Sequence, residues 1–330
     1  MFLVGLNPYG LAHTVGLQAF GTPRANPDGT GLHGFISIAR DIGAKCLEFD
    51  GRWLAPLSDD ELARLGGTLP DVPRICSYWL RHEPGETLDE AIRATRAIGA
   101  SIIRMHLTPV LEGARARQGT RWETMLRHAR ATLNEDARKA ADAGLTIAIE
   151  NHQDLGSAEL LAFAEEAGDN VGLAFDTGNA FAVAEDPVAF ARRAAGRIRH
   201  VHLKDYVSQF TPEGFRLVRC AIGDGCVPLQ ELAVLLDART PSLTASIEVG
   251  ALDVRHVRVF TPDWWQGYPP RPAGELQAAV ERLRTRRLDD NADYRTPWEK
   301  QQPAAAVVEY ELHQLRKSVE NLRTLGWMEG

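Results

Sequence analysis

The chain has 330 residues, of which 44% are hydrophobic and 25% charged, and a formal net charge of -7. That is the composition of a globular protein with enough residues to bury a large core. The acidic balance gives no electrostatic reason to expect nucleic acid, and no apolar run reaches membrane-spanning length. The opening Met-Phe-Leu-Val-Gly-Leu-Asn-Pro has neither a basic region nor a long apolar stretch, so a cytoplasmic protein is expected. Cys46 and Cys76 lie in apolar runs, and Cys220 and Cys226 lack Cys-x-x-C spacing, which points to reduced structural thiols.

Taken in order, eight short β-rich apolar runs are expected as strands: 2–6, 45–49, 74–78, 101–107, 146–151, 171–175, 198–203 and 244–249. Between them, residues 32–43, 58–65, 87–99, 121–144, 157–168, 187–196 and 228–238 carry apolar side chains at helical spacing. Start and stop signals such as Asp186-Pro187, Gly99 and Gly144 accompany several of them. Strict alternation with eight strands predicts a closed (β/α)₈ TIM barrel forming a single domain over 1–330. A doubly wound sheet is the alternative, weakened because no glycine-rich phosphate-binding turn follows the first strand. About 80 residues follow Glu248, more than one connection and one helix require. An aromatic, proline-rich inserted segment is expected over 251–300, with a helix from 274, and a closing helix over 304–325.

Four strand ends carry the chemistry: Glu150-Asn151-His152, Asp176-Thr177-Gly178-Asn179, His200-Val201-His202-Leu203-Lys204-Asp205, and Glu248. Parallel strands deliver their C-terminal ends to one rim, so these residues are expected to converge there. Carboxylates plus one imidazole suit Mn²⁺, Mg²⁺, Co²⁺ or Zn²⁺ with positions open for substrate. Strand alternation puts Glu150 and His152 on a common face of their strand, and likewise His200, His202 and Lys204 on a common face of theirs, with His200 deeper and in a structural role. Each residue alone is weak, because a strand-end Asp or His more often serves as a structural hydrogen-bonding group. Four at equivalent positions are a stronger signal, since uncompensated buried carboxylates are costly.

These motifs resemble the sugar phosphate isomerase/epimerase superfamily, with its xylose isomerase-like barrel, over roughly residues 1–250. The resemblance implies that Glu150, Asp176, His202 and Glu248 bind a divalent cation, usually Mn²⁺. The turn Ala221-Ile222-Gly223-Asp224-Gly225 resembles the superfamily's glycine turn. Where ketose epimerases of the superfamily commonly carry a histidine three residues after the strand-six Asp, this chain has Asn179.

A cation beside carboxylates can stabilise the negative charge formed when a proton leaves the carbon next to a sugar carbonyl. Glu150, Glu248, His152 and Lys204 are the candidate catalytic groups. His152 either transfers protons or orients Glu150, and Lys204 either meets substrate or pairs with Asp205 or Asp176. His106, Asn179, Trp264, Trp265 and Tyr268 are candidate substrate contacts, the last three as an aromatic wall beside the metal or else as a staple for the added segment. The Trp-Trp-x-Gly-Tyr-Pro-Pro-Arg stretch resembles the large subunit of bacterial C-glycoside deglycosidases. That resemblance implies a 3-oxo-glycoside substrate, a lyase outcome by β-elimination and a small partner subunit. A ketose 3-epimerase or sugar isomerase, and a non-catalytic barrel subunit or homo-oligomer, are the alternatives. A DNA-cleaving relative is disfavoured by the acidic charge and by too few metal-placed histidines.

Overall fold

A computed structural model describes residues 2–78, 88–237 and 242–329. Eleven strands are present among them: β1 (Leu3–Leu6), β2 (Leu47–Asp50), β3 (Arg74–Ser77), β4 (Ile102–Met105), β5 (Thr146–Glu150), β6 (Val171–Asp176), β7 (Ile198–Leu203), β8 (Tyr206–Thr211), β9 (Gly214–Arg219), β10 (Thr244–Ile247) and β11 (Arg255–Val257). The helices are α1 (Gly31–Asp41), α2 (Gly51–Leu54), α3 (Asp59–Thr68), α4 (Asp89–Ala97), α5 (Arg121–Asp142), α6 (Ser157–Ala167), α7 (Pro187–Ala194), α8 (Leu229–Asp237), α9 (Ala273–Arg284) and α10 (Ala304–Thr324). Two expected helix termini, Thr87 and Ala238, lie outside the described residues.

β1 to β7 and β10 form a closed parallel barrel, the architecture the alternation predicts, and β1 closes it by pairing with both β10 and β2. The barrel strands are rich in apolar side chains because both faces are covered: Val4, Leu6, Phe49, Ile103, Ile147, Phe175 and Val201 are all buried. The buried charged residues of these strands, Glu48, Asp50, Arg104, Glu150 and Asp176, lie toward the chemically active end, whereas Arg74 and Arg199 at the other end are only partly buried. Helix boundaries follow local chemistry. Ser58 and Glu61 make a capping box for α3, and Asp186 accepts the Ala189 amide ahead of Pro187 at the start of α7.

α10 closes the structure. Its Glu311 accepts the amides of His13 and Thr14 (3.2 and 2.8 Å) and the Thr14 hydroxyl (2.7 Å), and it reaches the Ala251 amide at 3.3 Å. One buried carboxylate thereby joins the loops after β1 and β10. Just beyond the helix, buried Trp327 stacks on Phe2 with ring centroids 4.0 Å apart.

The sequence reading did not anticipate β8, β9 and β11, which form a separate antiparallel sheet in the order β11-β9-β8. β8 and β9 are a hairpin directly after β7, so this sheet stands at the C-terminal end of the barrel. Asp205 fixes its root by accepting amides from Gly223, Gly225 and Val227 (3.0, 2.9 and 3.0 Å). The expected glycine turn is therefore tied down by a carboxylate four residues beyond Val201. Among the described residues, no helix is long and apolar enough to cross a membrane.

Candidate metal centre and active-site cavity

The strand ends of the C-terminal rim are locked to one another by the polar residues beside the candidate ligands. Asn151 donates to the Asp176 carbonyl (2.8 Å) and accepts the Asp176 amide (2.7 Å), joining the ends of β5 and β6. Thr177 does the same for β6 and β7, donating to the Lys204 carbonyl (2.7 Å) and accepting the Lys204 amide (3.0 Å). The Glu248 amide donates to the Leu203 carbonyl at 3.0 Å. Every candidate ligand is thus mounted on backbone that a neighbour holds in register.

Glu150, Asp176, His202 and Glu248 converge: one ligand atom from each lies within 4.8 Å of the others, and all four residues are buried. His202 Nδ1 stands 3.1 Å from Glu248 Oε2 and 3.6 Å from Glu150 Oε1. His202 Nδ1 and Glu248 Oε2 are buried, yet neither makes a hydrogen bond. Buried polar atoms are nearly always satisfied, so these lone pairs, aimed at a common space, fit a divalent cation. Asp176 is oriented by the Gly178 and Asn179 amides, both 3.0 Å from its Oδ1. Asn179, an expected substrate contact, instead reaches two ligands, donating to Asp176 Oδ2 at 2.9 Å and Glu150 Oε1 at 3.3 Å.

The sequence reading missed Glu48. Its carboxylate contacts His202 Nε2 (3.0 Å) and His200 Nε2 (3.3 Å) and accepts the Ser77 hydroxyl. A carboxylate on one imidazole nitrogen fixes the proton there and turns the other nitrogen toward a metal, the relay found behind most metal-bound histidines. His200 plays the deeper role expected of it, also bonding the Thr244 hydroxyl at 2.7 Å. Burial alone would raise the Glu48 pKa, but the two imidazoles outweigh it and hold the carboxyl well below its usual range. Burial opposes protonation of His202, yet Glu48 and Glu248 bring its pKa up to about 9.

Two cations neutralise the carboxylates. Arg104, also missed, pairs with Glu150 Oε2, and Lys204 lies 2.5 Å from Asp176 Oδ2 and 2.7 Å from Glu248 Oε1. Lys204 pairs with Asp176 as one reading allowed, and not with Asp205. Burial penalises the ionised Glu248, but Lys204 and His202 hold its pKa well below normal. The signal for Glu48 and Arg104 was present in the sequence: each is a charged residue inside an otherwise apolar strand run.

A cavity of about 290 Å³ opens onto this centre, lined in part by His106, His152, Lys204, Glu248, Arg219 and Arg255. His106 and His152 stack at 4.5 Å with their planes 19° apart. Burial, then His106 and Arg104, lower the His152 pKa well below the ordinary imidazole value, and its Nδ1 has no hydrogen-bond partner. A second hollow of about 310 Å³, lined by Phe2, Ile42, Lys45 and Arg323 among others, opens at the opposite end and contains no such cluster.

Of the two roles expected of Trp264, Trp265 and Tyr268, wall beside the metal or staple for the added segment, their contacts are those of the staple. They sit at the C-terminal end of the barrel but do not appear in the lining of the cavity. Trp264 donates from its indole to the Glu112 carbonyl (2.8 Å), Tyr268 from its hydroxyl to the Gly113 carbonyl (3.0 Å), and Trp265 to the Val259 carbonyl (2.9 Å). Tyr268 stacks on Trp264 at 4.6 Å, and the Arg115 guanidinium lies 3.7 Å from the Tyr268 ring centre. Gly113 at φ 64° makes room, since a Cβ there would come within 2.4 Å of Trp264. Trp264 and Tyr268 staple the added segment to the loop after β4, whose carbonyls meet their polar edges, while Trp265 closes a bond within the segment.

A profile of the family described as "Xylose isomerase-like TIM barrel" matches residues 36–285. The uncharacterised Escherichia coli protein YihM is 29% identical over 167 residues, covering 48% of this chain and 47% of that protein. An inosose dehydratase of Clostridium beijerinckii is 29% identical over 147 residues, covering 39% of this chain and 47% of the other. The matches thus span about half the length of these curated relatives. The solved structure of an L-ribulose 3-epimerase superposes with a TM-score of 0.57 at 17% identity, covering 99% of this chain and 97% of that one, which supports the fold alone. With the barrel, its rim chemistry and a family match over most of its length, the chain belongs to the xylose isomerase-like TIM barrel family.

Proposed function

We propose that this chain is a divalent-metal-dependent enzyme that removes the proton next to a sugar carbonyl and then eliminates a β-substituent. The finer form of the reading is release of the aglycone from a 3-oxo-glycoside. Glu150, Asp176, His202 and Glu248 would hold the cation, Mn²⁺ being the favoured ion. When bound, the cation supplies Lewis-acid stabilisation of the oxygen on which charge develops. The observation that carries the reading is the buried, unpartnered Nδ1 of His152 on the wall of the cavity, where burial disfavours the charged imidazole.

His152 is the base in this scheme. Its Nδ1 takes the α-proton, the C–H electron pair becomes a C–C π bond, and the carbonyl pair moves onto oxygen. As that pair returns, the bond to the β-substituent breaks, and the leaving group departs with the proton held on His152. Lys204, charged and held between Asp176 and Glu248, supports the oxyanion by electrostatic attraction. Glu150 and Glu248 act as ligands rather than bases because Arg104 and Lys204 stabilise their ionised forms. Inversion of a stereocentre needs a base on one face and a proton donor on the other, so pinned carboxylates beside one uncommitted imidazole favour elimination over epimerisation. The similarity to an inosose dehydratase, named for removal of water, supports the same outcome.

Proton NMR in D₂O with Mg²⁺-loaded protein tests this. A 4-nitrophenyl 3-oxo-glucoside or a keto-inositol is expected to lose its α-proton and release nitrophenol or water. Deuterium exchange and C3 inversion of free D-fructose, without elimination from either ketone, would overturn the reading in favour of a ketose epimerase.

A further inference from the structure

The antiparallel sheet that the barrel does not require brings two arginines to the cavity. In its register Tyr206 lies opposite Arg219, and Leu217 opposite Arg255, so Arg219 and Arg255 are diagonal neighbours on one face. Diagonal residues in such a ladder sit about 7–8 Å apart, within reach of two long side chains closing on one group. The face they occupy is turned to the metal centre: both arginines line the cavity, and Tyr206 on the same face reaches Asn179 at 3.5 Å. The opposite face carries Arg216, which bonds Gln209 and lies over the Tyr294 ring.

Neither arginine has a carboxylate of its own. Arg219 is only 6% exposed, its Nε makes no hydrogen bond, and its Nη1 donates to the Val249 carbonyl at 3.2 Å. Its acidic neighbour, Glu248 Oε1, is 3.8 Å away and already 2.7 Å from Lys204. Arg255 is half-buried with its Nε unpartnered. Glu112 and Asp253 act on it from a distance, but Glu112 is engaged by Arg117 at 3.5 Å and the His256 amide at 3.3 Å, and Asp253 is exposed. Around the centre, the carboxylates of Glu48, Glu150, Asp176 and Glu248 balance a divalent cation, Arg104 and Lys204. Arg219 and Arg255 remain as surplus positive charge in a partly desolvated place, where an unpaired charge is costly.

We propose that Arg219 and Arg255 form an anion-binding subsite, so that the carbonyl-bearing sugar taken by this cavity also carries a carboxylate or phosphate group. The inference rests on the reading of a sugar carbonyl at the metal centre and deepens it by naming the substrate class as an anionic sugar. Paired guanidiniums bind such oxyanions through charge-assisted, forked hydrogen bonds. Arg255 selects the charged substrate, and Arg219, beside Glu248, places the anion next to the reacting end.

Calorimetric titration of the Mg²⁺-loaded full chain with D-fructose, D-fructuronate and D-fructose 6-phosphate tests the subsite without requiring turnover. At least one anionic sugar is expected to bind about tenfold or more tightly than fructose, a difference of about 1.4 kcal/mol. The better of the two identifies carboxylate or phosphate as the recognised group. Arg255→Gln should remove most of this preference, Arg255→Lys should restore part of it, and Arg216→Gln on the opposite face should leave it intact. Equal affinity for the three sugars, or a preference that survives Arg255→Gln, overturns the proposal. The wild-type comparison decides alone if Arg255→Gln does not fold. An anion preference without elimination in the NMR assay would sink the reaction and keep the subsite, whereas elimination from neutral ketones without an anion preference would do the reverse.

Discussion

The rim formed by β5, β6, β7 and β10 and the aromatic segment around Trp264 both concentrate distinctive residues at the same end of the barrel, yet they use them oppositely. At the rim, the ligand atoms of His202 and Glu248 are left without hydrogen bonds and face a shared space. In the aromatic segment, the polar edges of Trp264, Trp265 and Tyr268 are satisfied by backbone carbonyls. Unspent bonding capacity in a buried place marks a site; satisfied capacity marks scaffold. Closeness in sequence to a ligand is a poorer guide than either.

Substitutions on the two sides should part company. Glu248→Gln removes a ligand charge, and it is expected to abolish metal binding and turnover together, measured by metal titration and by the NMR assay. His152→Ala should retain the metal and lower the rate by about 10²–10⁴, the usual worth of a general base. Wild-type turnover in that variant would remove His152 from the mechanism. Glu48→Gln, which weakens the carboxylate behind His202, should reduce metal affinity by about 10–100-fold while the fold persists. Trp264→Ala should leave metal affinity unchanged and cost about 3–5 kcal/mol of stability in denaturant unfolding, as for other buried Trp truncations. A loss of metal affinity from Trp264→Ala without a loss of stability would erase the distinction between site and scaffold.

Much of the rim was legible because the apolar runs of β5, β6 and β10 are each ended or followed directly by one carboxylate, and β7 carries His202 at the matching level, so equivalent positions align Glu150, Asp176, His202 and Glu248. Asn179 reads as a substrate contact from its place three residues after Asp176, and its bond to Glu150 on the neighbouring strand emerges only in the fold. Glu48 and Arg104 were passed over because they sit within strands rather than at motif positions, and a lone charge in an apolar run acquires meaning only when its partners 154 and 46 residues away are known. The hairpin of β8 and β9 was overlooked because its alternation follows β7 after only two residues, Lys204 and Asp205, and reads as part of one loop. Its arginines gain significance only from the register that turns them to one face.

In the proposed centre Glu150, Asp176, His202 and Glu248 hold one divalent cation, with Glu48 standing behind His202. The described residues contain a rival cluster, Glu48, His200 and His202, on the other side of the same imidazole. Anomalous diffraction from crystals grown with Mn²⁺ separates the two most directly. One peak is expected at roughly 2.0–2.6 Å from the four rim ligands, on the Nδ1 side of His202. A peak on the Nε2 side, coordinated by Glu48 and His200, would contradict the assignment and the chemistry built on it.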